Sequence, residues 1–364
     1  MNKISVSASK KYDIVMEQGL LEKAAHIFET ADIKSPLKLC IVSDMTVNSI
    51  YGGTGHALWS SLKSAGFELH SYVFPGGEKS KTMQTVSGIL NYLADNRFSR
   101  SDILIALGGG ITGDITGFAA ASYMRGIRYV QIPTTLLATV DSSVGGKTGV
   151  NLNAGKNLAG AFWQPSLVLF DPDVLKTLPR DTILDGIAEA VKAGFIGDKT
   201  IIDDISGEFD TDDICSLTDI AAKAIKVKKN IVEDDERENG RRQLLNFGHT
   251  PAHAIEKCSG YSISHGHAVA IGMLIVSAAA DKLGWSRENC TGKLLDILTG
   301  YGFSLSCPYS SQQLAEAALQ DKKIRGDHIT LVIPESIGKC VLRTIPTNRL
   351  YHFISCGLDI LKGL

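Results

Sequence analysis

Glycines are concentrated in one segment of the sequence where they could bring the backbone close to a phosphate. Gly108, Gly110 and Gly113 follow the apolar run ILIAL and precede ITGFAAAS, which is typical of a helix start. Glycine permits close backbone approach to a ligand, and the first N–H groups of a helix attract an anion. In this strand–loop–helix context the spacing predicts a loop for the pyrophosphate of a dinucleotide. The alternative is a tight turn that binds no ligand.

The acidic residue that commonly holds the ribose of a dinucleotide is not at its usual place. It is expected about 20 positions after the glycines, at the end of the next strand. That strand, RYVQIP, ends instead in Pro133-Thr134-Thr135, whereas LCIVSD upstream ends in Asp44. The pattern therefore predicts a nucleotide loop in a sheet whose strand order differs from the common one.

Four cations are positioned to bind an anion. Lys147 and Lys156 follow glycines, and we interpret both as lying in glycine-rich turns, with Arg125 and Asp141 close by in sequence. Arg242 precedes QLLNFGH and is expected to point inward near a group of histidines. Guanidinium and ammonium groups in such places favour a phosphate or a carboxylate of a substrate.

Histidines cluster in the second half of the chain. His249 and His253 are four positions apart where a helix is predicted to begin, so they share a face, and His265 and His267 follow. A divalent metal is typically bound by two or three imidazoles with a carboxylate, and Glu189 in DGIAEAVKAG is the best carboxylate. The alternative is that these are surface histidines or hydrogen-bonded core histidines.

Composition excludes some function classes. The chain has 364 residues, enough for two domains, and its 37 basic and 39 acidic residues give a net charge of −2. This balance favours neither nucleic acid nor a membrane surface as a partner. No apolar run reaches the roughly 18 residues of a membrane helix. Seven scattered cysteines without a CxxC pair predict reduced thiols and a cytoplasmic protein.

The elements that must hold these residues fall into two halves. Strand patterns such as LKLCIVSD, ILIALGG and LVLFD alternate with helical patterns in the first half, which predicts a parallel sheet covered on both faces. The second half is mainly helical and ends in a predicted hairpin around Ser336-Ile337-Gly338. We therefore predict an α/β fold with an N-terminal NAD-binding domain, 1–172, and a C-terminal, mainly α-helical metal- and substrate-binding domain, 173–364.

A set of motifs resembles one known family. The blocks PGGEKSK, GGGITGD, PTTLLATVDSSVGGKTGVN, GKN, AEAVK, DERENG, LLNFGHT, HGHAVAIGM and DKK occur in the order found in 3-dehydroquinate synthases, from about residue 40 to 343. The blocks DSSVGGKT and GKN are specific to sugar-phosphate cyclases of this kind. The chain is thus identified as similar to a family that acts in the shikimate route to aromatic amino acids.

The resemblance implies an activity and a set of partners. Members convert 3-deoxy-D-arabino-heptulosonate 7-phosphate to 3-dehydroquinate and phosphate, as carbon–oxygen lyases that use NAD and a divalent metal, zinc or cobalt. A homodimer is the implied assembly. The chemistry is transient oxidation of an alcohol, β-elimination of phosphate, reduction and intramolecular aldol closure, so NAD is regenerated.

The resemblance also implies roles for individual residues. The implied metal ligands are Glu189, His249 and His265. The implied NAD-site residues are Asp44, Glu78, Lys81, Gly109, Gly110, Asp114, Thr134, Thr135, Lys147, Lys156, Asn157 and Thr177. The implied catalytic residues are Arg125, Asp141, Lys147, Lys192, Asn246 and His253. The implied substrate-binding residues are Lys156, Lys228, Arg242 and one lysine of DKK, Lys322 or Lys323, with Lys323 preferred.

Two positions depart from the family pattern. The family motif HGE is HGH in this chain, so His267 replaces an acid, and Pro251 stands inside the motif that begins at His249. Proline near a helix start is tolerated. His267 is expected to change the local charge, and it could compete for metal or shift the pKa of its neighbours.

Three other functions compete with this interpretation. A sister cyclase, such as a 2-deoxy-scyllo-inosose synthase or a valiolone-type synthase, would share NAD, metal and phosphate elimination but would need no cation for a substrate carboxylate. Arg242 with Asn246 is the predicted carboxylate contact. A metal-dependent glycerol-phosphate or alcohol dehydrogenase would release NADH. A non-catalytic binding protein would not need the full set of charged residues.

Overall fold

The computed structural model describes residues 2–207, 209–319, 324–325 and 327–363. The chain divides into two compact units, an N-terminal unit, Met1–Leu178, and a C-terminal unit, Pro179–Leu364. This division lies six residues beyond the boundary predicted at 172.

The N-terminal unit alternates strands and helices, as its sequence pattern predicts. Its strands are β1 (Asn2–Ser7), β2 (Lys11–Met16), β3 (Lys38–Asp44), β4 (Glu68–Phe74), β5 (Ile103–Gly108), β6 (Arg128–Pro133), β7 (Lys147–Leu152), β8 (Gly155–Phe162) and β9 (Leu167–Phe170). Its helices are α1 (Ala24–Thr30), α2 (Met45–Tyr51), α3 (Ala57–Ser64), α4 (Met83–Asp95) and α5 (Gly110–Ser122).

The main sheet of this unit has seven strands in the order β1-β2-β9-β6-β5-β3-β4. All neighbours are parallel except β1 and β2, which form an antiparallel edge. Every residue of β5 is buried, because this central strand is covered on both faces. Chain order runs outward from β3 to β4 and then returns to β5, so the direction reverses between β3 and β5. The carboxyl ends of strands at such a reversal are the usual ligand site of an open α/β sheet.

Strands β7 and β8 form a separate antiparallel pair that the sequence analysis did not predict. Lys147 is the first residue of β7 and Lys156 is the second residue of β8, so the prediction that both lie in turns is wrong. Glycine-rich turns do precede β7, where Gly145 and Gly146 have φ of 96° and 66°. Each lysine therefore stands on a paired strand directly after a glycine.

The C-terminal unit is mainly helical, as predicted. Its helices are α6 (Arg180–Gly197), α7 (Lys199–Ile205), α8 (Ile214–Asp234), α9 (His249–Cys258), α10 (His265–Lys282), α11 (Cys290–Gly300), α12 (Ser311–Leu319) and α13 (Leu350–Leu358). Its strands are β10 (Ile324–Arg325), β11 (His328–Ser336) and β12 (Lys339–Pro346), and β11 and β12 form the predicted hairpin. Helices α7, α11 and α13 were not predicted.

Helix α10 is the core of the C-terminal unit. Thirteen of its residues are buried, because α9, α6, α11 and α13 pack around it. A helix that is apolar on all sides is typical of the centre of a large core. Within the part of the chain that the structure describes, no helix combines the length and the apolar character needed to cross a bilayer.

Candidate active site

The glycine loop lies at the point where the strand order of the N-terminal sheet reverses. Strand β5 ends at Gly108, Gly109 is the N-cap of α5, and no side chain caps this helix. The backbone N–H of Thr134, which follows β6, donates to the carbonyl oxygen of Gly108 at 3.0 Å. Asp44 ends β3, the neighbour of β5 on the other side. The predicted strand–glycine–helix turn is therefore confirmed, and its helix N-terminus is a favourable place for an anion, while binding of a nucleotide there stays a prediction.

The helix start after this loop packs closely against Ser142, whose hydroxyl is buried. A Cβ atom on Gly110 would lie 2.9 Å from the hydroxyl oxygen of Ser142, so only glycine fits the backbone here without displacing that side chain. Among the described residues, no group hydrogen-bonds the buried Ser142 hydroxyl. A buried polar atom without a partner is costly, and a polar ligand would satisfy it. Sequence analysis did not select Ser142, because a serine in DSS carries no signal that distinguishes it from a turn residue.

A buried lysine that is predicted to line the NAD site contacts two other residues of the same prediction. Lys81 is 6% exposed. Its ammonium group donates to the carboxylate of Asp114 at 2.5 Å and to the side-chain oxygen of Asn157 at 2.7 Å. Helix α5 carries Asp114, and β8 carries Asn157, whose φ is 52°. The ion pair thus holds the β7–β8 pair against the helix that follows the glycine loop.

Asn151 is a second link in this network, and sequence analysis missed it. Its side chain donates to Glu78 at 2.7 Å and accepts from the backbone N–H of Asn157 at 2.9 Å. The ammonium group of Lys156 lies 3.7 Å from the same Glu78 carboxylate. The structure therefore brings together three residues that were predicted to line the NAD site, Glu78, Lys156 and Asn157.

Other predicted NAD-site residues have structural partners of their own. The Asp44 carboxylate caps α2 by accepting from Val47 N–H at 2.9 Å. The Thr135 hydroxyl accepts from Ala138 N–H at 3.1 Å. The Thr177 hydroxyl lies 2.8 Å from the hydroxyl of Tyr51. These bonds fix the side chains, and their contact with NAD stays a prediction.

Arg125 is not brought to the glycine loop. It lies beyond the carboxyl end of α5, whereas Gly110 begins that helix, and the 13 residues of α5 span about 20 Å. Its φ is 67°. Asp141 lies in a short π-helical turn, Ala138–Ser142, in the segment that joins β6 to β7. The substrate contacts predicted for both residues stay predictions.

Glu189, His249 and His265 converge in the C-terminal unit. One potential ligand atom from each lies within 4.8 Å of the others, and no ion is present. The Oε1 atom of Glu189 is 3.4 Å from Nε2 of His265 and 3.9 Å from Nε2 of His249. Helices α6, α9 and α10 each contribute one of these residues. A carboxylate with two imidazoles is a donor set typical of zinc and related divalent metals.

The outer nitrogen of each imidazole is held by a second group. Nδ1 of His249 lies 3.2 Å from the carbonyl oxygen of Phe247, which can accept only from a protonated nitrogen. Nδ1 of His265 lies 3.5 Å from the carboxylate of buried Glu256. Both contacts leave the Nε2 atom of the ring to face Glu189, as in other metal-binding histidines. The donor set and its orientation therefore fit a divalent metal.

The same carboxylates control the charge of His265. Burial lowers the pKa of His265, but hydrogen bonds to Glu189 and Glu256 and their charges outweigh burial and raise the pKa to about 10. A divalent cation would supply the positive charge that these carboxylates favour. Sequence analysis missed Glu256, although it is seven residues after His249 and three after His253 and so shares their face of α9.

Replacing Glu256 by glutamine is expected to weaken metal binding without unfolding the protein. The amide keeps the size of the side chain but cannot hold the His265 ring as a carboxylate does. Loss of such an outer partner typically weakens metal affinity by about 10–100-fold. Competition with a chelator of known affinity would measure the change. An unchanged metal affinity would mean that Glu256 does not orient His265.

The predicted catalytic and substrate-binding residues of this unit that the structure describes lie on helices α6, α8 and α9 and in the segment Arg241–Asn246. Lys192, one turn after Glu189, makes a buried ion pair with it. The ring of His253 lies 5.3 Å from that of His249 and 6.4 Å from that of His265. Arg242, only 1% exposed, donates to the backbone carbonyl of Glu236. Two further predicted residues are Lys228, buried on α8, and Asn246, which donates to Glu238 at 2.8 Å.

His267 does not belong to the ligand group. Its Nδ1 atom lies 3.0 Å from a carboxylate oxygen of Asp185, and this hydrogen bond raises its pKa although burial lowers it. His267 was expected to change the local charge, and the charged group that it contacts is Asp185. Pro251 lies in the first turn of α9, where proline is tolerated. The predicted Lys322 and Lys323 lie outside the described residues.

Comparison with known proteins identifies relatives over nearly the whole chain. Two family models match, one for the 3-dehydroquinate synthase N-terminal region at residues 71–185 and one for the C-terminal region at residues 186–324. The 3-dehydroquinate synthase of Enterococcus faecalis is 40% identical over 347 residues, covering 94% of this chain and 96% of the relative. That of Streptococcus suis is 41% identical over 349 residues, with the same two coverages.

Solved structures with the same fold include sister cyclases. The 2-epi-5-epi-valiolone synthase of Streptomyces hygroscopicus, with NAD+ and Zn2+ bound, has a TM-score of 0.88 and 28% identity, covering 99% of both chains. A 2-deoxy-scyllo-inosose synthase in complex with carbaglucose-6-phosphate, NAD+ and Co2+ has a TM-score of 0.87, covering 98% of this chain and 100% of its own. Its 24% identity supports the fold alone.

Proposed function

Because the chain belongs to the 3-dehydroquinate synthase family, we propose that it converts 3-deoxy-D-arabino-heptulosonate 7-phosphate to 3-dehydroquinate and phosphate. It would act as a carbon–oxygen lyase on a phosphate ester, in the route to aromatic amino acids. The observation that carries the proposal is the group of Glu189, His249 and His265 in a chain that also has an uncapped glycine loop. The cytoplasm as compartment and a homodimer as assembly stay predictions.

Two bound groups are proposed, one for each unit. Gly109, Gly110 and the N-terminus of α5 would hold the pyrophosphate of NAD, with Asp44, Thr134 and Thr135 at the ends of the neighbouring strands. A divalent metal, zinc or cobalt, would be held by Glu189, His249 and His265. When bound, NAD supplies reversible oxidation of a secondary alcohol, and the metal polarises an oxygen atom.

The chain's own residues would bind the charged substrate. Arg242 is the predicted carboxylate contact, because a guanidinium binds a carboxylate through two parallel hydrogen bonds. Lys156 and Lys228 are predicted to neutralise the phosphate or other oxygen atoms of the substrate. Lys192 and His253 are placed beside the ligand group, where a donor can hold a developing negative charge or move a proton.

A carboxylate on the substrate separates this proposal from the sister cyclases. Glucose 6-phosphate and heptulose 7-phosphates have no carboxylate, so they could not make the carboxylate contact that is predicted for Arg242. Arg242 is the most deeply buried cation of the C-terminal unit among the described residues. We therefore propose the heptulosonate phosphate as the preferred substrate over sugar phosphates that lack a carboxylate.

Turnover is expected to release phosphate without accumulation of NADH. The hydride that NAD accepts is returned within one cycle, so the cofactor is a catalyst and not a consumed substrate. Phosphate release and absorbance at the NADH maximum would be recorded in the same sample, with the heptulosonate phosphate, NAD and zinc added. Sedoheptulose 7-phosphate, which lacks the carboxylate, provides the matched comparison.

Two outcomes of that assay would contradict the proposal in different ways. One NADH formed per turnover would indicate a dehydrogenase. Faster phosphate release from sedoheptulose 7-phosphate than from the heptulosonate phosphate would indicate a sister cyclase.

A further inference from the structure

Helices α6 and α10, which carry two of the three proposed metal ligands, are joined beside those ligands by one carboxylate. We propose that Asp185 is a positioning residue that sets the separation of Glu189 and His265, with Ser264 and His267 as its partners. Asp185 precedes Glu189 by one turn of α6, and its two partners flank His265 at the start of α10. The inference rests on the proposed metal site and adds to it a group that does not touch the metal.

A single oxygen atom of Asp185 accepts from three donors. The hydroxyl of Ser264 donates to Oδ1 at 2.6 Å, and the backbone N–H of His267 donates to it at 3.1 Å. Nδ1 of His267 lies 3.0 Å from the same oxygen. One of these donors is a backbone N–H in the first turn of α10, so Asp185 holds the helix itself and not only its side chains. A carboxylate at this end of a helix also interacts favourably with the helix dipole.

The two helices are in backbone contact at this point. A Cβ atom on Gly266 would lie 2.5 Å from the carbonyl oxygen of Asp185 and closer still to its Cα atom. Any larger residue would therefore push α10 away from α6. The position of His265, the residue before Gly266, is thus fixed relative to α6 by close packing and by the bonds to Asp185.

His267, which stands where the family resemblance implies an acid, is compatible with this arrangement. Side chains of Asp185 and His267 are 17% and 14% exposed, and the ring of His267 packs at 5.2 Å from the ring of Phe303. A glutamate at 267 would place a second carboxylate against Asp185 in this partly buried setting. Like charges at such distances repel, whereas the imidazole donates a hydrogen bond. Replacement of Asp185 or His267 alone is therefore expected to disturb the metal ligands, whereas a matched replacement of both residues should not.

The test compares metal retention in three variants and one control. We expect Asp185→Ala and His267→Glu each to weaken zinc affinity at least about tenfold, the lower range for loss of an outer-sphere partner. The double variant Asp185→Asn, His267→Glu should recover to within about threefold of the parent, because the amide can donate to the new carboxylate and still accept from the backbone. Lys282→Gln, which removes an exposed ion pair at 2.9 Å at the far end of α10, should leave zinc affinity unchanged.

Two further measurements separate positioning from loss of folding. The melting temperature of each metal-free variant tests whether the fold is intact, and the visible spectrum of the cobalt-substituted protein reports ligand geometry. We expect a changed cobalt spectrum in the single variants and a parent-like spectrum in the double variant. Single variants that bind zinc as tightly as Lys282→Gln would overturn the inference, as would a double variant no better than His267→Glu.

The result also distinguishes this inference from the proposed function. If alanine at Glu189, His249 or His265 leaves the metal bound, the metal site itself is misplaced. If those variants lose metal while Asp185→Ala keeps it, the site stands and only the positioning role fails.

Discussion

Alanine in place of Glu189, His249 or His265 is expected to abolish metal binding and nearly all activity. Each variant leaves two protein ligands, and a catalytic zinc site typically has three. Helices α6, α9 and α10 each supply one ligand, so each substitution removes the whole contribution of one helix to the group. Metal content by mass spectrometry after dialysis, together with phosphate release, would measure both losses.

His253 provides the matched control for these three variants. It lies on the same helix as His249, with its ring 5.3 Å away, but it is not part of the ligand group. His253→Ala is therefore expected to keep its metal while turnover falls by about 10²–10⁴-fold, the range for loss of a general acid or base. If His253→Ala lost its metal and His265→Ala kept it, the two roles would be exchanged.

The nucleotide loop was predictable because its signals are local. A buried apolar strand, three glycines at fixed spacing and a helix start occur within 20 residues, and the structure places β5, Gly109 and α5 in that order. The position of Asp44, at the end of a strand that precedes the glycines instead of following them, was also informative. It predicted a strand order different from the common one, and the sheet does place β3, which ends in Asp44 and precedes the glycine loop in sequence, beside β5. Local sequence patterns thus predicted the strand–glycine–helix turn and also one feature of the strand order.

The β7–β8 pair was missed because its sequence contradicts strand propensity. The segment KTGVNLNAGKNLAGAF is rich in glycine and asparagine, which are depleted in strands. In the structure Gly149 is opposite Gly160, and a Cβ on Gly160 would lie 2.8 Å from the Gly149 Cα. These glycines permit close approach of the two strands, so the feature that suggested turns is a requirement of the pairing.

The outer partners of the metal ligands were unpredictable for a different reason. Glu256 contacts His265 from α9, and Asp185 contacts Ser264 and His267 across 79 and 82 positions of sequence. Such contacts depend on the packing of helices α6, α9 and α10, which periodicity alone does not determine. The ligands themselves were suggested by residue type and clustering, whereas the groups that orient them become visible only after the helices are packed.

Lys147→Met and Lys156→Met are each expected to lower kcat/KM about a hundredfold with almost no change in melting temperature. Lys147 is exposed at the start of β7, and the Lys156 side chain is 28% exposed with its ammonium group 3.7 Å from Glu78. Exposed ion pairs contribute roughly 0–1 kcal/mol to stability, so the fold should persist. A lysine that stabilises a phosphate or a reacting oxygen contributes about 3 kcal/mol to transition-state binding.

Two comparisons decide whether these lysines act in the chemistry. Lys79→Met removes an exposed lysine from the neighbouring segment PGGEKSK and should leave kcat/KM unchanged. Arginine at 147 or 156 should not restore activity, because its planar group does not replace a compact ammonium group with three donors. Both lysines directly follow glycines and lie on paired strands, so their backbone is held in place. Normal kinetics in both methionine variants would assign them to the surface of the β7–β8 pair and would exclude them from the site.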